Sequence, residues 1–232
     1  MAELVKVGRK HFYRHDGELY PSVTTILSGG FPKPLLVGWA AKVTATDAIE
    51  NRQKWWGIAD ASEETAIDML KAVRFQSRDR AASLGAGGHK VIEKELQPSK
   101  EQQPFVDSYA AWYQEHVAAT VARELPVVNT QHGYGGTTDL ILEMKTDTQY
   151  RATGDRILWD IKTGNTAGWE DQQLQVVAYS YADNVTVDKV GVLHVRPEGV
   201  TEYVWLPTLE TLEVFLAVKR VATFLGKLEQ SE

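Results

Sequence analysis

Residues 135–143, 157–164 and 171–182 read GGTTDLILE, ILWDIKTG and DQQLQVVAYSYA. The first two stretches are short apolar runs with glycine or charged residues at their ends, a pattern typical of buried strands. In the third, apolar residues recur at helical spacing, which predicts a helix that packs on those strands. This order of strand, strand and helix organises the rest of the chain.

Charged side chains stand near the ends of both predicted strands. Because successive strand side chains point to opposite faces, Asp160 and Lys162 share one face while Ile161 points to the other. If the two strands pair as an antiparallel hairpin, Asp139 of the first strand lies beside Asp160. Two carboxylates and the Ile161 carbonyl then form an all-oxygen pocket suited to Mg²⁺.

The predicted helix adds polar groups to this pocket. Gln172, Gln175 and Tyr179 are spaced i, i+3, i+7 and therefore lie along one helical face. Polar side chains on a helix beside a metal pocket can bind a phosphate or a bridging water.

Taken in order, these motifs resemble the PD-(D/E)XK nuclease superfamily. More narrowly, they are similar to its RecB-type exonuclease branch, which has a G-x-x-D strand, a D-x-K-T strand and a Q-x-x-x-Y helix. That branch also carries an upstream helical histidine, and GAGGH at residues 85–89, followed by VIE, matches it at His89. The resemblance covers residues 80–195, about half of the chain.

The resemblance implies an α/β (α+β) fold with a restriction-endonuclease-like core, in which helices flank a mixed central sheet. It implies a Mg²⁺- or Mn²⁺-dependent deoxyribonuclease, an exonuclease acting in DNA recombination or repair. The catalytic residues it implies are Asp139, Asp160, Lys162, Gln175, Tyr179 and Glu124. The metal ligands it implies are His89, Asp139, Asp160 and the carbonyl of Ile161.

Three of these assignments leave alternatives open. Lys162 could position or deprotonate the attacking water, or stabilise the developing charge. Glu124 could equally be a solvent-facing strand residue, and His89 could be a hydrogen-bonded structural residue.

The formal net charge of −6 argues at first against a nucleic-acid partner. The distribution of charge matters more than its sum. Between positions 71 and 94 the sequence contains six basic residues and two acidic ones, which predicts a basic surface there. The residues expected to contact DNA are Arg74, Arg78, Arg80, Lys90 and Thr163.

The 232-residue chain contains no cysteine, which excludes disulfides and thiolate metal sites. It therefore cannot hold the iron–sulfur cluster of the related CRISPR adaptation nucleases. No long apolar run predicts a membrane span and no secretion signal is evident, so a cytoplasmic protein is expected, in the host cytoplasm if it is phage-encoded. Beside DNA, the resemblance implies a single-strand annealing or recombination protein as a partner, and an oligomer is possible.

One domain is expected over residues 1–232, with a hairpin and helical region at 1–78 and the nuclease core at 79–232. Asp16-Gly17 predicts a hairpin turn, and helices are expected over about 35–56, 60–76, 80–96, 105–119 and 208–228. Trp39, Trp55 and Trp56 are expected to pack between helices, although exposed tryptophans could stack on single-stranded bases.

Two functions from other classes compete with the nuclease. A nucleic-acid-binding module could keep the fold without activity, but such a module would be free to lose part of the Asp139, Asp160 and Lys162 set. A structural or assembly protein could use Asp160 and Lys162 merely as an ion pair. That interpretation leaves His89 and the polar face of the helix unexplained.

Overall fold

The structure, a computed structural model, describes residues 2–8, 10–32, 34–94, 96–146, 154–164, 167 and 169–229, with the backbone alone at 34–36, 77–90, 93 and 94. Its elements in chain order are β1 (Glu3–Val7), β2 (Lys10–His15), β3 (Glu18–Pro21), α1 (Val23–Gly30), α2 (Pro34–Glu50), α3 (Arg52–Ala61), α4 (Glu63–Lys94), α5 (Gln103–His116), β4 (Val117–Asn129), β5 (Tyr134–Met144), β6 (Arg156–Lys162), α6 (Glu170–Ser180), β7 (Lys189–Arg196), β8 (Gly199–Trp205) and α7 (Leu209–Phe224).

A five-stranded mixed sheet in the order β4-β5-β6-β7-β8 forms the centre of the fold. Only the β6–β7 pair is parallel among these strands, and α6 makes the crossover between its two members. A parallel pair needs such a crossover because its strands cannot be joined by a tight turn. The predicted α+β class, with a mixed sheet flanked by helices, is confirmed.

Apolar side chains cover both faces of this sheet. On one face α1, α6 and α7 pack through residues that include Ile26, Val177 and Phe215. On the other face α5 packs through Trp112 against Trp159 and its neighbours. Because β6 is covered on both sides, the residues between the exposed Arg156 at its start and Asp160 near its end are all apolar.

The N-terminal strands form a separate three-stranded sheet that packs against the central one. Asp16 (φ 49°) and Gly17 (φ 84°) make the turn between β2 and β3, as predicted. Ser22 caps α1 by accepting a hydrogen bond from the Thr25 N–H, and it pairs with Gly135 of β5. The N-terminal sheet is therefore attached to the strand that carries Asp139.

The chain divides into two compact units, one of Met1–Phe31 with Gly87–Glu232 and the other of Pro32–Ala86. The sequence predicts one domain over residues 1–232, with a hairpin and helical region at 1–78 and the nuclease core at 79–232. The first 31 residues belong with the central sheet because of their contacts with β5.

The helices of the second unit differ from the predicted ones. The helix expected over 35–56 is interrupted at Asn51, and Gly57, which would end that helix as its first following residue, lies inside α3. Asp60, the first residue of the helix expected over 60–76, also lies inside α3, so it cannot cap the next helix. Ser62 takes that position and accepts a hydrogen bond from the Thr65 N–H (3.3 Å).

Helix α4 runs without a break through residues 77–79, where two separate helices were expected. No proline interrupts this stretch, and helical hydrogen bonding can therefore continue through it. Of the three tryptophans expected to pack, Trp55 is buried and donates to Asp47 Oδ2 (2.9 Å). Trp39 and Trp56 are exposed at 38% and 69%.

No helix in the described part of the chain combines the length and the apolar character needed to cross a membrane.

Candidate active site

The candidate site lies where β5 and β6 run side by side. The two strands are antiparallel, and Leu140 pairs with Trp159. Continued by one step, this register places Asp139 next to Asp160, as the predicted hairpin requires. Asp139 Oδ2 accepts a hydrogen bond from the Ile161 N–H (2.7 Å), which fixes this carboxylate against β6.

Asp160 is the most buried charged group of the site. Its side chain is 3% exposed, and its Oδ2 forms an ion pair with Lys162 Nζ at 2.5 Å. A buried carboxylate is unfavourable unless it is paired and hydrogen-bonded. The two-residue spacing on one strand face brings the partner within reach, which is the geometry that the D-x-K pattern predicts.

Helix α6 supplies the second partner of Asp160. The Gln175 side-chain amide donates to Asp160 Oδ1 (2.7 Å) and to the Tyr179 hydroxyl (3.4 Å). Gln172, expected on the same polar face, instead turns to the start of the helix and accepts from the Trp169 N–H. Of the three polar residues predicted on this face, Gln175 reaches a carboxylate directly, and Tyr179 is linked to it through the Gln175 amide.

The Tyr179 ring packs closely against β5 because residue 136 is glycine. A Cβ atom at Gly136 would overlap the edge of the ring. Tyr179 is buried, and this burial raises the pKa of its phenol well above the usual 10, with the charges of Asp160 and Asp139 adding to the shift. Tyr179 is therefore a neutral hydrogen-bonding group at physiological pH.

Opposing effects act on the Lys162 ammonium. Burial lowers its pKa, but the charges of Asp160, Asp139 and Asp171 outweigh burial, and the pKa of Lys162 lies above its usual value. The side chain is therefore protonated at neutral pH. In this state it can neutralise negative charge or orient a water, but it cannot accept a proton.

Glu124 lies on β4, the neighbour of β5 on its other side. Arg123 pairs with Leu140 and Leu125 with Thr138, which places Glu124 across from Asp139. Its φ of 45° is in the left-handed region, where a non-glycine residue is strained. The three acidic residues Glu124, Asp139 and Asp160 thus occupy neighbouring positions on three adjacent strands.

Two residues next to the carboxylates, Tyr13 and Thr137, are not among the predicted site residues. Tyr13 of β2 is 5% exposed, and its hydroxyl lies 2.7 Å from Thr137 Oγ1. Burial raises the pKa of Tyr13, the Thr137 bond lowers it, and the charge of Glu124 raises it further. Thr137 precedes Asp139 by two positions, so strand alternation could have indicated it. Only the tertiary structure brings Tyr13 to the site.

The loop after β6 is fixed by the end of β7. The Gly164 carbonyl accepts from Arg196 Nη1 (2.9 Å) and lies 2.8 Å from His194 Nε2. Thr163, expected to contact DNA, is 7% exposed. Its side chain is therefore turned into the protein in this structure.

The remaining predicted contacts are not all within the described part of the chain. The side chains of His89, Arg78, Arg80 and Lys90 lie outside it. Arg74 is exposed on α4, where its guanidinium carbon lies 4.6 Å from the centre of the Phe75 ring.

The donor atoms of the site suit a hard divalent cation. Asp139, Asp160 and the Ile161 carbonyl offer only oxygen, which Mg²⁺ and Mn²⁺ prefer. The raised pKa of Lys162 shows that the charges of Asp160 and Asp139 outweigh the effect of burial at this position. Among the described side chains, however, no three histidine or acidic groups lie close enough together to hold a metal. Of the predicted ligands, the structure therefore describes the carboxylates of Asp139 and Asp160 and the Ile161 carbonyl, but not the His89 side chain.

Comparison with known proteins finds no matching family model and no matching curated protein. Several solved structures, among them the following two, are similar to parts of this chain. One is the crystal structure of SSO0001, with 13% identity, a TM-score of 0.34, and coverage of 62% of this chain and 74% of the other. The second is an alkaline exonuclease (LHK-Exo) from Laribacter hongkongensis, with 12% identity, a TM-score of 0.35, and coverage of 65% and 92%. At these TM-scores neither similarity carries an argument about function.

Proposed function

We propose that this chain is a divalent-metal-dependent nuclease of the PD-(D/E)XK superfamily that hydrolyses phosphodiester bonds in DNA. The observation that supports this most strongly is the arrangement around Asp160. One oxygen of its carboxylate is paired with Lys162, the other with Gln175, and Asp139 lies on the neighbouring strand. A bare structural ion pair needs neither the second carboxylate nor the Gln175 amide.

Asp139, Asp160 and the Ile161 carbonyl would hold the metal ion. His89 is proposed as a further ligand, and Glu124 as a catalytic group that binds a metal water. When bound, a divalent ion supplies an activated water at neutral pH and neutralises charge on the phosphate. The fixed orientation of Asp139 by the Ile161 N–H prepares this site before the ion arrives.

Lys162 is proposed to act as a cation. The nearby carboxylates favour its ammonium form, which can stabilise negative charge on the phosphate or orient the attacking water. A divalent ion bound to the same carboxylates would lower the pKa of Lys162 by like-charge repulsion, which is the condition for proton abstraction. Gln175 and Tyr179 hold Asp160 in place and present neutral hydrogen-bonding groups towards the same pocket.

The finer assignment follows the motif resemblance. We propose an exonuclease of the RecB-type branch that acts in phage-type recombination or repair, in the cytoplasm, with a single-strand annealing or recombination protein as a partner. Arg74, Arg78, Arg80 and Lys90 are proposed to contact the DNA backbone, where each cation releases counterions. Thr163 would reach the DNA only if the loop that holds it moved.

The test of this proposal is hydrolysis of end-labelled linear DNA with Mg²⁺, with Mn²⁺ and with a chelator. We expect turnover with either ion and none in chelator. Closed-circular DNA should resist if the enzyme needs an end. Asp160→Asn should lower the rate by at least about 10²-fold, the scale of losing a main electrostatic group of an active site.

Asp155→Asn is the matched control for this variant. Asp155 pairs with Lys189 (2.6 Å) at the opposite end of β6, so its loss removes a similar ion pair away from the site. We expect Asp155→Asn to retain the rate. Equal activity in the Asp160 and Asp155 variants would refute the proposal. Binding of DNA without any turnover would favour the inactive nucleic-acid-binding module instead.

A further inference from the structure

A row of basic side chains continues from Lys162 onto the neighbouring strand. Lys162, the last residue of β6, pairs in register with His194 of β7, and Arg196 ends β7 two residues further on. Asp160 pairs with Val192, which packs in the same core as α6. Because strand side chains alternate, Asp160, Lys162, His194 and Arg196 therefore all lie on the α6 side of the sheet.

This row lies at the carboxyl ends of two parallel strands, the edge at which open α/β sheets bind their ligands. Neighbouring strands are about 4.8 Å apart, and two residues span about 6.6 Å along a strand. The Cα atoms of Lys162 and Arg196 are therefore roughly 8 Å apart. Their long side chains can adjust this separation to the spacing of neighbouring phosphates on one DNA strand.

The contacts that Arg196 makes with Gly164 and Glu198 can be exchanged at low cost. Its Nη1 donates to the Gly164 carbonyl (2.9 Å), and its Nε lies 3.4 Å from Glu198 Oε1. The Glu198 side chain is 72% exposed, and an ion pair with such a partner contributes little to stability. His194 Nε2 lies 2.8 Å from the same Gly164 carbonyl and donates to it, because a carbonyl oxygen only accepts. Gly164 thus keeps a donor when the guanidinium turns to another acceptor.

We propose that Arg196 binds the DNA phosphate next to the one that is cleaved at Asp160 and Lys162, and thereby positions the strand. Its side chain is 31% exposed and therefore accessible to a ligand. A planar guanidinium can donate two parallel N–H bonds to a single phosphate. His194 meanwhile holds the loop after β6 in place. The assignment rests on the proposed nuclease function, because it names a substrate contact of the same site.

The experiment measures binding of a short labelled DNA duplex to the full chain in chelator, by fluorescence anisotropy at a series of salt concentrations. Arg196→Met should weaken binding on the order of tenfold, the scale of one hydrogen bond to a charged group. It should also lower the slope of log affinity against log salt concentration by about 1, as the loss of one phosphate contact does. Arg156→Met is the matched control, because Arg156 is exposed at the opposite end of β6, and it should keep both values.

Two further variants separate a phosphate contact from a purely structural role. Arg196→Lys keeps the charge but not the planar fork, so it should retain the salt slope and lose affinity. Glu198→Gln removes the competing carboxylate at an exposed position and should tighten binding, more in the unchanged chain than in the Arg196→Met background. If Arg196→Met lowers the thermal midpoint but leaves the salt slope unchanged, Arg196 only holds the loop and the assignment is wrong. Equal tightening by Glu198→Gln in both backgrounds would also overturn it.

Cleavage of linear DNA with Mg²⁺ distinguishes this assignment from the proposed function. If the unchanged chain cleaves DNA and Arg196→Met keeps its affinity and salt slope, the phosphate site is refuted and the nuclease stands. If binding depends on Arg196 but the unchanged chain cleaves nothing with Mg²⁺ or Mn²⁺, the phosphate site stands and the nuclease is refuted. An unchanged chain that binds no DNA would overturn the phosphate site.

Discussion

The Lys162 side chain is kept charged by its neighbours. Burial alone would lower its pKa, yet the nearby carboxylates raise it. In the site without a metal ion the ammonium is therefore the form at neutral pH, and it offsets some of the repulsion between Asp139 and Asp160. A bound metal ion and the Lys162 ammonium should therefore both neutralise the carboxylates of Asp139 and Asp160.

This shared role predicts how Lys162→Met changes metal binding. Without added metal the variant should lose about 1.5–3 kcal/mol of stability, the scale of one hydrogen bond to a charged group, because Asp160 loses its ion pair with Lys162. Added Mn²⁺ should then raise the thermal midpoint of the variant more than that of the unchanged chain, because the ion binds the folded state. Thermal unfolding with and without Mn²⁺ measures both effects.

Lys189→Met is the control, because it breaks the Asp155 pair at the other end of β6. It should lower stability without altering the rise caused by Mn²⁺. If Mn²⁺ raises the thermal midpoints of the two lysine variants equally, the carboxylates near Asp160 do not form a metal site.

Tyr13→Phe tests whether the N-terminal sheet contributes to the site. The change removes the hydrogen bond to Thr137 but keeps the ring, so stability should fall by only about 0.5–1.5 kcal/mol. We expect kcat on linear DNA to fall on the order of tenfold, the effect of losing a group that orients a reactive one, with KM unchanged. Steady-state kinetics separates the two constants.

Tyr20→Phe is the matched variant in the same hairpin. Tyr20 is also buried, and its hydroxyl bonds to Glu18, away from the carboxylates. Its loss should leave kcat unchanged. Similar rate losses in both variants would mean that the hairpin acts only through stability.

At the scale of elements, the contact between α6 and β5 decides the geometry around Asp160. The helix approaches the strand closely because Gly136 has no side chain. This contact places the Tyr179 ring between α6 and β5. It also sets the distance between the helix and the sheet, and thereby lets the Gln175 amide reach Asp160. A glycine in a strand interior is otherwise unfavourable, so its position here reflects close packing.

Gly136→Ala should accordingly destabilise the protein by about 1–3 kcal/mol through overpacking and reduce activity together with stability. Gly57→Ala is the control, because a Cβ there meets no atom within 4 Å and alanine favours a helix. Urea unfolding gives the free energies. In a Tyr179→Leu background the cost of Gly136→Ala should shrink, and an unchanged cost would place the clash elsewhere.

At the scale of the whole molecule, buried phenols make stability sensitive to alkaline pH. Burial is the main cause of the raised pKa of Tyr13, Tyr134 and Tyr179. A raised folded pKa means that the folded state keeps its proton after the unfolded state has lost it. The stability contributed by these groups is therefore complete below the unfolded pKa of about 10 and is lost as pH rises through the folded values.

We expect the free energy of unfolding to stay level from about pH 8 to about pH 10 and to fall above it, by up to about 1.4 kcal/mol per pH unit for each such tyrosine. Tyr134→Phe should make this fall less steep, although it also loses the bond to the Ala178 carbonyl. Urea unfolding across this pH range is the measurement. A slope unaffected by the substitution would show that Tyr134 ionises equally in both states.

The sequence alone determined the local elements and the order of the site motifs. Strand alternation predicted that Asp160 and Lys162 share one face of β6, and helical spacing predicted that Gln175 and Tyr179 share one face of α6. Both patterns depend only on the geometry of a single strand or helix. The turn at Asp16-Gly17 and the cap at Thr208 were predictable for the same local reason. Helix boundaries in the second unit were not, since capping there depends on where the preceding helix ends.

Only the tertiary structure decided which distant residues meet. Tyr13 reaches Thr137 across 124 positions of sequence, because the N-terminal sheet packs on β5. No local pattern in the chain encodes that contact. The row of Lys162, His194 and Arg196 likewise becomes visible only once the pairing of β6 with β7 is known. Long-range packing of apolar surfaces, unlike strand alternation or helical spacing, is a property of the whole chain, and it decided these features.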